Sequence, residues 1–259
     1  MKMYQIDAFT DQIFGGNPAA VVPLENWLPD ALLQQIAVEN NLSETAFIVL
    51  KENDFELRWF TPAFEVDLCG HATLATAYAL FEHLGYAENE IRFHTKSGRL
   101  TVHKTASGIR MDFPIETLTA VEEIDGWIKA FGTQPLAVFQ ARAYSLAIFE
   151  DQAAIANLEP DQHALLDLPG IGHIASAVGN EVDFVSRFFA PKAGIPEDPV
   201  TGSAHCALVP YWAGKLGKTS FKAEQISARL GQLTCTLEGD RVWIEGQART
   251  YMIGDFEIR

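Results

Sequence analysis

The stretch Asp67-Leu-Cys-Gly-His-Ala-Thr-Leu-Ala75 decides the fold of this chain. A sharp turn at Gly70 and His71 leads directly into an apolar run over residues 72–84. The apolar side chains surround nearly the whole circumference of the predicted helix, which indicates a helix buried inside a wrapped sheet. A glycine ahead of such a helix leaves its first backbone N–H groups open to an anion. The sequence therefore predicts a buried central helix whose first turn can bind a negatively charged group.

The chain contains this arrangement twice. Arg58-Trp-Phe-Thr-Pro62 recurs as Arg187-Phe-Phe-Ala-Pro191, and Gly70-His-Ala72 recurs as Gly202-Ser-Ala204. Further matches follow in the same order at a nearly constant offset. Such ordered self-similarity indicates an internal repeat. We predict two halves of like fold, each of which brings a glycine turn and a helix start to a shared centre.

Length and composition fit this organisation. The 259 residues, of which 48% are hydrophobic, suffice for two cores of ordinary size. The formal net charge of -15 argues against a nucleic-acid partner, because binding phosphates requires clustered lysine and arginine. No apolar window is long enough for a membrane span, and the N-terminal residues lack the apolar core of a secretory signal. Three cysteines without a C-x-x-C pair favour a reducing compartment, so we expect a cytoplasmic protein without a membrane partner.

The segments around the repeat carry local patterns. Residues 30–40 are spaced as in an amphipathic helix, and an apolar strand follows the polar corner Ser43-Glu44-Thr45. Residues 116–122 have no hydrophobic period, which predicts a linker between the halves. In the second half, Pro210 is expected to kink the helix over residues 207–216 or to end its first turn.

Residues able to do chemistry collect at the predicted centre. Glu44 stands where a strand begins, so its side chain can project into a cavity. Glu44, His71 and Asp198 together make a proton-transfer set. One group takes a proton from carbon, another returns one, and the turn N–H groups hold an anion. No cofactor is required for this chemistry. The residues of this predicted centre are Glu44, Cys69, Gly70, His71, Asp198, Gly202 and Ser203.

Simpler roles compete for each of these residues. Taken alone, Glu44 fits a helix or turn cap better than a base, His71 can pack or cap, and Asp198 before Pro199 suits a turn. A hydrolase triad of Ser203, His71 and Asp198 lacks the G-x-S-x-G elbow. The repeat favours proton chemistry, because it puts His71 and Ser203 in equivalent positions.

A metal cluster can also be drawn from Cys69, His71, His205 and Cys206. Helical spacing does not direct four ligands at one point, and packing roles suit both cysteines better. We therefore expect no metal.

Five motifs closely resemble those of the PhzF-type, or phenazine-biosynthesis-like, isomerase family, which shares its fold with diaminopimelate epimerase. The resemblance implies an α+β fold of two pseudo-symmetric domains, each a curled mixed sheet wrapped around a buried central helix. We place these domains at residues 1–117 and 118–259, with the last strand a candidate to cross back to the first. The motifs are Asp7-Ala-Phe-Thr10, Gly16-Asn-Pro-Ala-Ala-Val-Val22, Asn41-Leu-Ser-Glu-Thr-Ala-Phe47, Asp67-Leu-Cys-Gly-His-Ala-Thr73 and Glu197-Asp-Pro-Val-Thr-Gly-Ser-Ala204.

The resemblance also implies roles for single residues. The glutamate of the Ser-Glu-Thr match, Glu44, corresponds to the family's proton shuttle, and His71 and Asp198 complete the catalytic set. Gly202 and Ser203 would hold a substrate carboxylate. Among the matched residues we assign substrate binding also to Gly70, Asn17 and Cys69. The family implies a site in the cleft between the domains and usually a homodimer.

We therefore expect a cofactor-independent isomerase that shifts a proton within a small carboxylate-bearing metabolite. Two alternatives stay open. A two-base amino-acid epimerase or racemase needs a second thiol, yet the position that matches Cys69 holds Asp198 or Thr201, depending on the offset. A non-catalytic small-molecule binding protein on the same scaffold is the other alternative. The sequence does not identify the substrate.

Overall fold

The computed structural model describes residues 1–258 of the chain, which form two compact units. The first unit comprises Met1–Asp112 together with the C-terminal segment from Glu245 onward, and the second comprises Phe113–Ile244. Strands outnumber helices in both units, and the predicted α+β class is confirmed. Within residues 1–258, no helix combines the length and the apolar character that crossing a membrane requires.

The first unit includes the last strand of the chain. Its helices are α1 (Asp30–Asn40) and α2 (Gly70–Glu82). Its strands are β1 (Lys2–Ala8), β2 (Asn17–Leu24), β3 (Glu44–Lys51), β4 (Asp54–Phe60), β5 (Glu65–Val66), β6 (Glu90–Thr95), β7 (Gly98–Lys104), β8 (Ile109–Pro114) and, at the end of the chain, β18 (Ala248–Asp255).

The second unit has more helices, most of them short. They are α3 (Asp125–Phe131), α4 (Gln152–Ala156), α5 (Gln162–Asp167) and α6 (His205–Leu216), with 3-10 turns at Pro191–Ala193 and Gly202–Ala204. The strands are β9 (Thr119–Val121), β10 (Ala137–Gln140), β11 (Tyr144–Ile148), β12 (Gly172–Val178), β13 (Phe184–Ala190), β14 (Ile195–Asp198), β15 (Ser220–Gln225), β16 (Gly231–Glu238) and β17 (Arg241–Gly246).

The two units share one strand order. Paired strands run β18-β1-β2-β3-β4-β6-β7-β8 in the first unit and β9-β10-β11-β12-β13-β15-β16 in the second. Corresponding pairs also agree in direction: β2–β3 and β4–β6 are parallel, as are β11–β12 and β13–β15, and the other pairs are antiparallel. The internal repeat predicted from the sequence is therefore a repeat of topology.

The repeat extends to single side chains. Arg58 on β4 donates two hydrogen bonds to the carboxylate of Glu65 on β5, with N–O distances of 2.7 and 2.8 Å. Arg187 on β13 does the same to Glu197 on β14, also at 2.7 and 2.8 Å. Two parallel charge-assisted bonds fix both groups in one geometry. Each Arg–Glu fork therefore fixes the hairpin that precedes a central helix.

The first central helix, α2, is buried as predicted. Eleven of its thirteen residues are buried, and it packs against β1, β2, β3 and β18. Its limits are Gly70 and Glu82, two residues earlier at each end than the predicted run 72–84. The many alanines among its side chains add little bulk, so strands can approach the helix axis on several sides.

Pro210 does not end the first turn of the second central helix, because α6 continues from His205 to Leu216. A proline has no N–H, so the carbonyl of Cys206, one turn earlier, loses its usual helical donor. The backbone N–H of Glu116 donates to this carbonyl instead, at 2.9 Å. The hydrogen bond that proline removes is thus replaced from another part of the second unit.

Some strands of the second unit were not predicted. β12 is buried over six of its seven residues and contains small and polar residues, so it shows no alternation of apolar and polar positions. β15 was also missed. Residues 116–122, predicted as a linker, contain β9, which pairs with β10.

A buried histidine lies in the core of the second unit. Nε2 of His173 is 3.1 Å from the carbonyl oxygen of Leu165, which can only accept, so Nε2 carries the proton. Nδ1 then accepts from the hydroxyl of Ser145, at 2.9 Å. The oxygen of Ser145 accepts in turn from Nε1 of Trp127, at 3.1 Å. This network needs a neutral ring, and burial lowers the pKa of His173 to about 4.

We predict that His173 makes the protein less stable in mild acid. Below the ordinary pKa of 6.5 the unfolded chain takes up a proton that the folded ring refuses until about pH 4, so the free energy of unfolding falls as the pH falls. Between pH 7 and pH 5 this costs about 2 kcal/mol. Urea unfolding measures this effect. Between pH 7 and pH 5 the free energy of unfolding of His173→Asn should fall by about 2 kcal/mol less than that of the wild type. The exposed His163→Asn is the control, and equal losses in wild type and His173→Asn would contradict the prediction.

Candidate active site

The start of α2 lies at a sheet edge that is rich in polar residues. β2 begins at Asn17 and β3 at Glu44, and the two strands are parallel, with Ala19 opposite Glu44. Parallel strands begin at the same edge, so Asn17 and Glu44 project near one another. The chain enters α2 at the same place through Cys69, which is extended and makes no side-chain cap. The first turn of α2 therefore lacks the oxygen acceptor that a Ser, Thr, Asp or Asn cap would provide.

Glu44 and His71 form a buried pair at this edge. Oε2 of Glu44 lies 3.0 Å from Nε2 of His71, and the two side chains are 13% and 5% exposed. Neither atom has a hydrogen bond of normal alignment within residues 1–258. The two atoms are therefore close enough to attract each other electrostatically. Each can still form a hydrogen bond with a polar group of a ligand.

The other ring nitrogen of His71 has two neighbours. Nδ2 of Asn17 is 3.2 Å from Nδ1, and Sγ of Cys69 is 3.5 Å from it. Asn17 is fully buried. The structure thus brings together four of the residues predicted from the sequence, which are Asn17, Glu44, Cys69 and His71.

Charge and burial act in opposite directions on this cluster. Burial lowers the pKa of His71, whereas the neighbouring Cys69 and Glu44 raise it by more, so its pKa lies well above the ordinary value. Burial and the carboxylate of Glu44 raise the pKa of the Cys69 thiol to about 11. The thiol is therefore uncharged at neutral pH, and Glu44 is the group that then favours a charged imidazole.

The same cluster meets the distance requirement for a metal ion. A carboxylate oxygen of Glu44, Sγ of Cys69 and a ring nitrogen of His71 all lie within 4.8 Å of one another. A metal needs a deprotonated thiol and a neutral imidazole nitrogen. Burial and the Glu44 carboxylate favour the protonated thiol, so a metal ion that binds here has to displace that proton.

In the second unit, Asp198 and Thr201 form a compact turn before α6. The hydroxyl of Thr201 donates a short hydrogen bond to Oδ2 of Asp198. Gln225 joins the same turn, because its Nε2 donates to the Asp198 carbonyl at 2.7 Å and its Oε1 accepts from the Thr201 N–H at 2.8 Å. Asp198 is 8% exposed. Its carboxylate is therefore fixed by neighbours within its own unit.

Ser203 follows in the first turn of this second helix start. Its Oγ is 3.1 Å from the hydroxyl of Tyr144, whose ring packs edge-on against Phe188. Neither Tyr144 nor Gln225 was predicted as a site residue. Both come from strands that are distant in the sequence and lie outside the matched motifs of the repeat, so only the fold could bring them to this turn.

The two helix starts correspond closely in their backbones. Cys69 precedes Gly70 as the cap residue of α2, and Thr201 precedes Gly202 in the same way. Of the two counterparts considered for Cys69, the structure therefore supports Thr201. The second unit has no second thiol at this position.

The acid of the first unit has no equivalent in the second. Arg58 pairs with Phe47 across β3–β4, and its counterpart Arg187 pairs with Ala175 across β12–β13. Three residues before these partners stand Glu44 in the first unit and Gly172 in the second. A side chain at Gly172 would collide with the ring of Phe188. The first unit therefore has a carboxylate at this strand start. In the second unit the ring of Phe188 occupies the corresponding space.

Comparisons with known proteins agree with this architecture. The family described as "Phenazine biosynthesis-like protein" matches residues 6–254. An uncharacterized isomerase of Pseudomonas aeruginosa is 49% identical over 258 residues, which cover 100% of this chain and 99% of that protein. A crystal structure of a PhzF-family phenazine biosynthesis protein of Enterococcus faecalis superimposes with a TM-score of 0.96 at 44% identity, over 99% of each chain.

A more distant structure shares the fold alone. It is a predicted epimerase of Pseudomonas aeruginosa, with a TM-score of 0.78 at 20% identity, over 100% of this chain and 99% of that one. The family match over nearly the whole chain, the close relative and the repeated topology lead to one conclusion. This chain belongs to the phenazine biosynthesis-like, or PhzF, family of isomerases.

Proposed function

We propose that the protein moves a proton within a small carboxylate-bearing metabolite by general acid–base catalysis. In this proposal Glu44, as the carboxylate, takes a proton from a carbon next to an activating group and returns it to another carbon of the same molecule. The observation that carries the proposal is the buried Glu44–His71 pair, with 3.0 Å between Oε2 and Nε2, at the start of α2. Such pairs are suited to holding a proton between two steps.

The backbone at the start of α2 supports a carboxylate substrate. Its first turn contains no acidic residue, and Cys69 provides no side-chain cap. The positive end of a helix dipole and backbone N–H groups that point out of the first turn both favour an anion. We propose that the N–H groups at Gly70 and His71 bind such a group. The roles predicted for Asp198, as a catalytic residue, and for Gly202 and Ser203, as binding residues, stay part of the proposal.

The single carboxylate favours a shift isomerase over a two-base epimerase. An epimerase of the two-thiol type needs one thiol on each face of a carbon, and the counterpart of Cys69 is Thr201, whose hydroxyl is far too weak an acid. The counterpart of Glu44 is Gly172. One acid that both removes and returns the proton fits this arrangement, because the proton then ends on the same face of the substrate from which it came.

We predict that Glu44→Gln abolishes turnover. The amide keeps the size of the side chain but cannot take up a proton, so kcat should fall by about 10²–10⁴-fold. The measurement is a screen of carboxylate metabolites in heavy water, in which NMR follows deuterium entering the substrate. Glu39→Gln, an exposed glutamate at the end of α1, is the matched control and should keep wild-type activity.

The same screen tests the proposal against its alternatives. Undiminished turnover by Glu44→Gln would show that another residue moves the proton. Binding of a metabolite without any exchange of its hydrogen would indicate a non-catalytic binding protein.

We also predict that the thiol of Cys69 is not needed for proton transfer. The thiol is buried, and its pKa of about 11 leaves almost no thiolate at neutral pH. Cys69→Ser should keep kcat within about tenfold of the wild type, a change smaller than the loss of a general acid or base. A loss of kcat as large as that of Glu44→Gln, with deuterium entering a stereocentre, would instead support two-base epimerisation.

A further inference from the structure

The two nitrogens of the His71 ring face groups of opposite hydrogen-bonding kind. On the Nε2 side lies the carboxylate of Glu44, which accepts. On the Nδ1 side lie the amide nitrogen of Asn17, at 3.2 Å, and the thiol of Cys69, at 3.5 Å. The ring therefore stands between an acceptor and two groups that carry hydrogens.

Both groups on the Nδ1 side can donate. An amide nitrogen has two hydrogens and no acceptor lone pair, so Asn17 can donate only to an unprotonated Nδ1, the state that the ring reaches above its raised pKa. The thiol of Cys69 also keeps its hydrogen, because its pKa is about 11. With donors at Nδ1 and a carboxylate at Nε2, the single proton of a neutral ring belongs on Nε2.

The position of Asn17 is fixed by the sheet. It is the first residue of β2, lies opposite Ala8 of β1, and is fully buried. Pro18 follows it and restricts its backbone to extended conformations. The amide therefore approaches His71 from a rigid element and not from a mobile loop.

We propose that Asn17 is a positioning residue that acts through His71, because its amide donates to Nδ1 and thereby keeps the ring proton on Nε2, facing Glu44. This role is separate from the substrate-binding role predicted for Asn17, which stays a prediction. His71 is then a fixed hydrogen-bond donor, and Glu44 alone carries the proton that is moved. The role of Asn17 in catalysis rests on the proposed function. The position of the proton on the His71 ring does not depend on it.

Glu44 on β3 and Cys69 ahead of α2 are titratable groups that face the ring. Asp7 on β1 is also buried, but its Oδ2 accepts from the N–H of Phe14 at 2.9 Å. Glu44 favours a second proton on the ring, whereas an amide hydrogen aimed at Nδ1 opposes it. Asn17 therefore limits how strongly the ring holds two protons.

The test is NMR of the full chain labelled with 15N in histidine and asparagine, with no ligand present. The resonances of His71 are assigned by their loss in His71→Gln. In a titration to alkaline pH, the singly protonated ring should show a proton on Nε2 and none on Nδ1. A scalar coupling across the hydrogen bond should join Nδ1 of His71 to the side-chain nitrogen of Asn17.

Three results would overturn the proposal. One is a ring that holds two protons throughout the titration, because Nδ1 then has no lone pair to accept. Another is a neutral ring with its proton on Nδ1. The third is a bare Nδ1 without coupling to Asn17, which would leave Cys69 as the donor. All three can occur whether or not Glu44 proves to be the catalytic base, so they are distinct from failure of the proposed function.

Two variants sharpen the test. Cys69→Ala removes the other neighbour of Nδ1 and should leave both the tautomer and the coupling unchanged. Asn17→Asp keeps the size of the side chain but presents an acceptor, so Nδ1 should hold a proton to a higher pH than in the wild type. Loss of the coupling in Cys69→Ala, or an unchanged titration in Asn17→Asp, would count against Asn17 as the donor.

Discussion

A carboxylate and an imidazole buried side by side at the start of a helix are the constraint on which the first unit depends. Removing a charged group from water is costly, and the cost is offset only when a partner of opposite charge or a hydrogen-bond donor stands nearby. Glu44 has His71 at 3.0 Å and the positive end of α2 close by. The residues that make the charge tolerable are therefore the ones that can also handle a proton.

The internal repeat separates what the scaffold needs from what the chemistry needs. Both units keep an Arg–Glu fork before the central helix, and both hold the carbonyl of the cap residue with a side chain four residues later. In the first unit Thr73 donates to Cys69, and in the second His205 donates to Thr201 from Nδ1 at 3.0 Å. Burial lowers the pKa of His205 to about 4, so this histidine is a neutral structural donor. Only the first unit adds an acid, Glu44, at its strand start.

Sequence patterns were most informative where structure is local. The helix at Asp30–Asn40 matches its predicted limits because Asn41 adopts the left-handed conformation that ends helices. β12 was missed because a strand buried on both faces shows no alternation. The continuation of α6 past Pro210 could not be foreseen, because the replacement donor, Glu116, is far away in the sequence.

The candidate site shows the same division. Motifs and the repeat identified Glu44 and His71, and the structure brings them together. The contacts of Asn17 and Cys69 with Nδ1 of the ring were not foreseen, since they depend on the parallel register of β2 and β3 and on the extended backbone of the cap residue. Long-range register is a property of the folded sheet, and no local pattern reports it.

The Arg–Glu forks also have an entropic consequence. Each joins residues that are near in sequence, seven apart for Arg58 and Glu65 and ten apart for Arg187 and Glu197, and so closes a small ring of chain just before a helix start. Chain that is tethered at both ends has few conformations left to lose when a ligand arrives. Each helix start is therefore preorganised, and a small anion that binds there spends little of its binding energy on ordering the backbone.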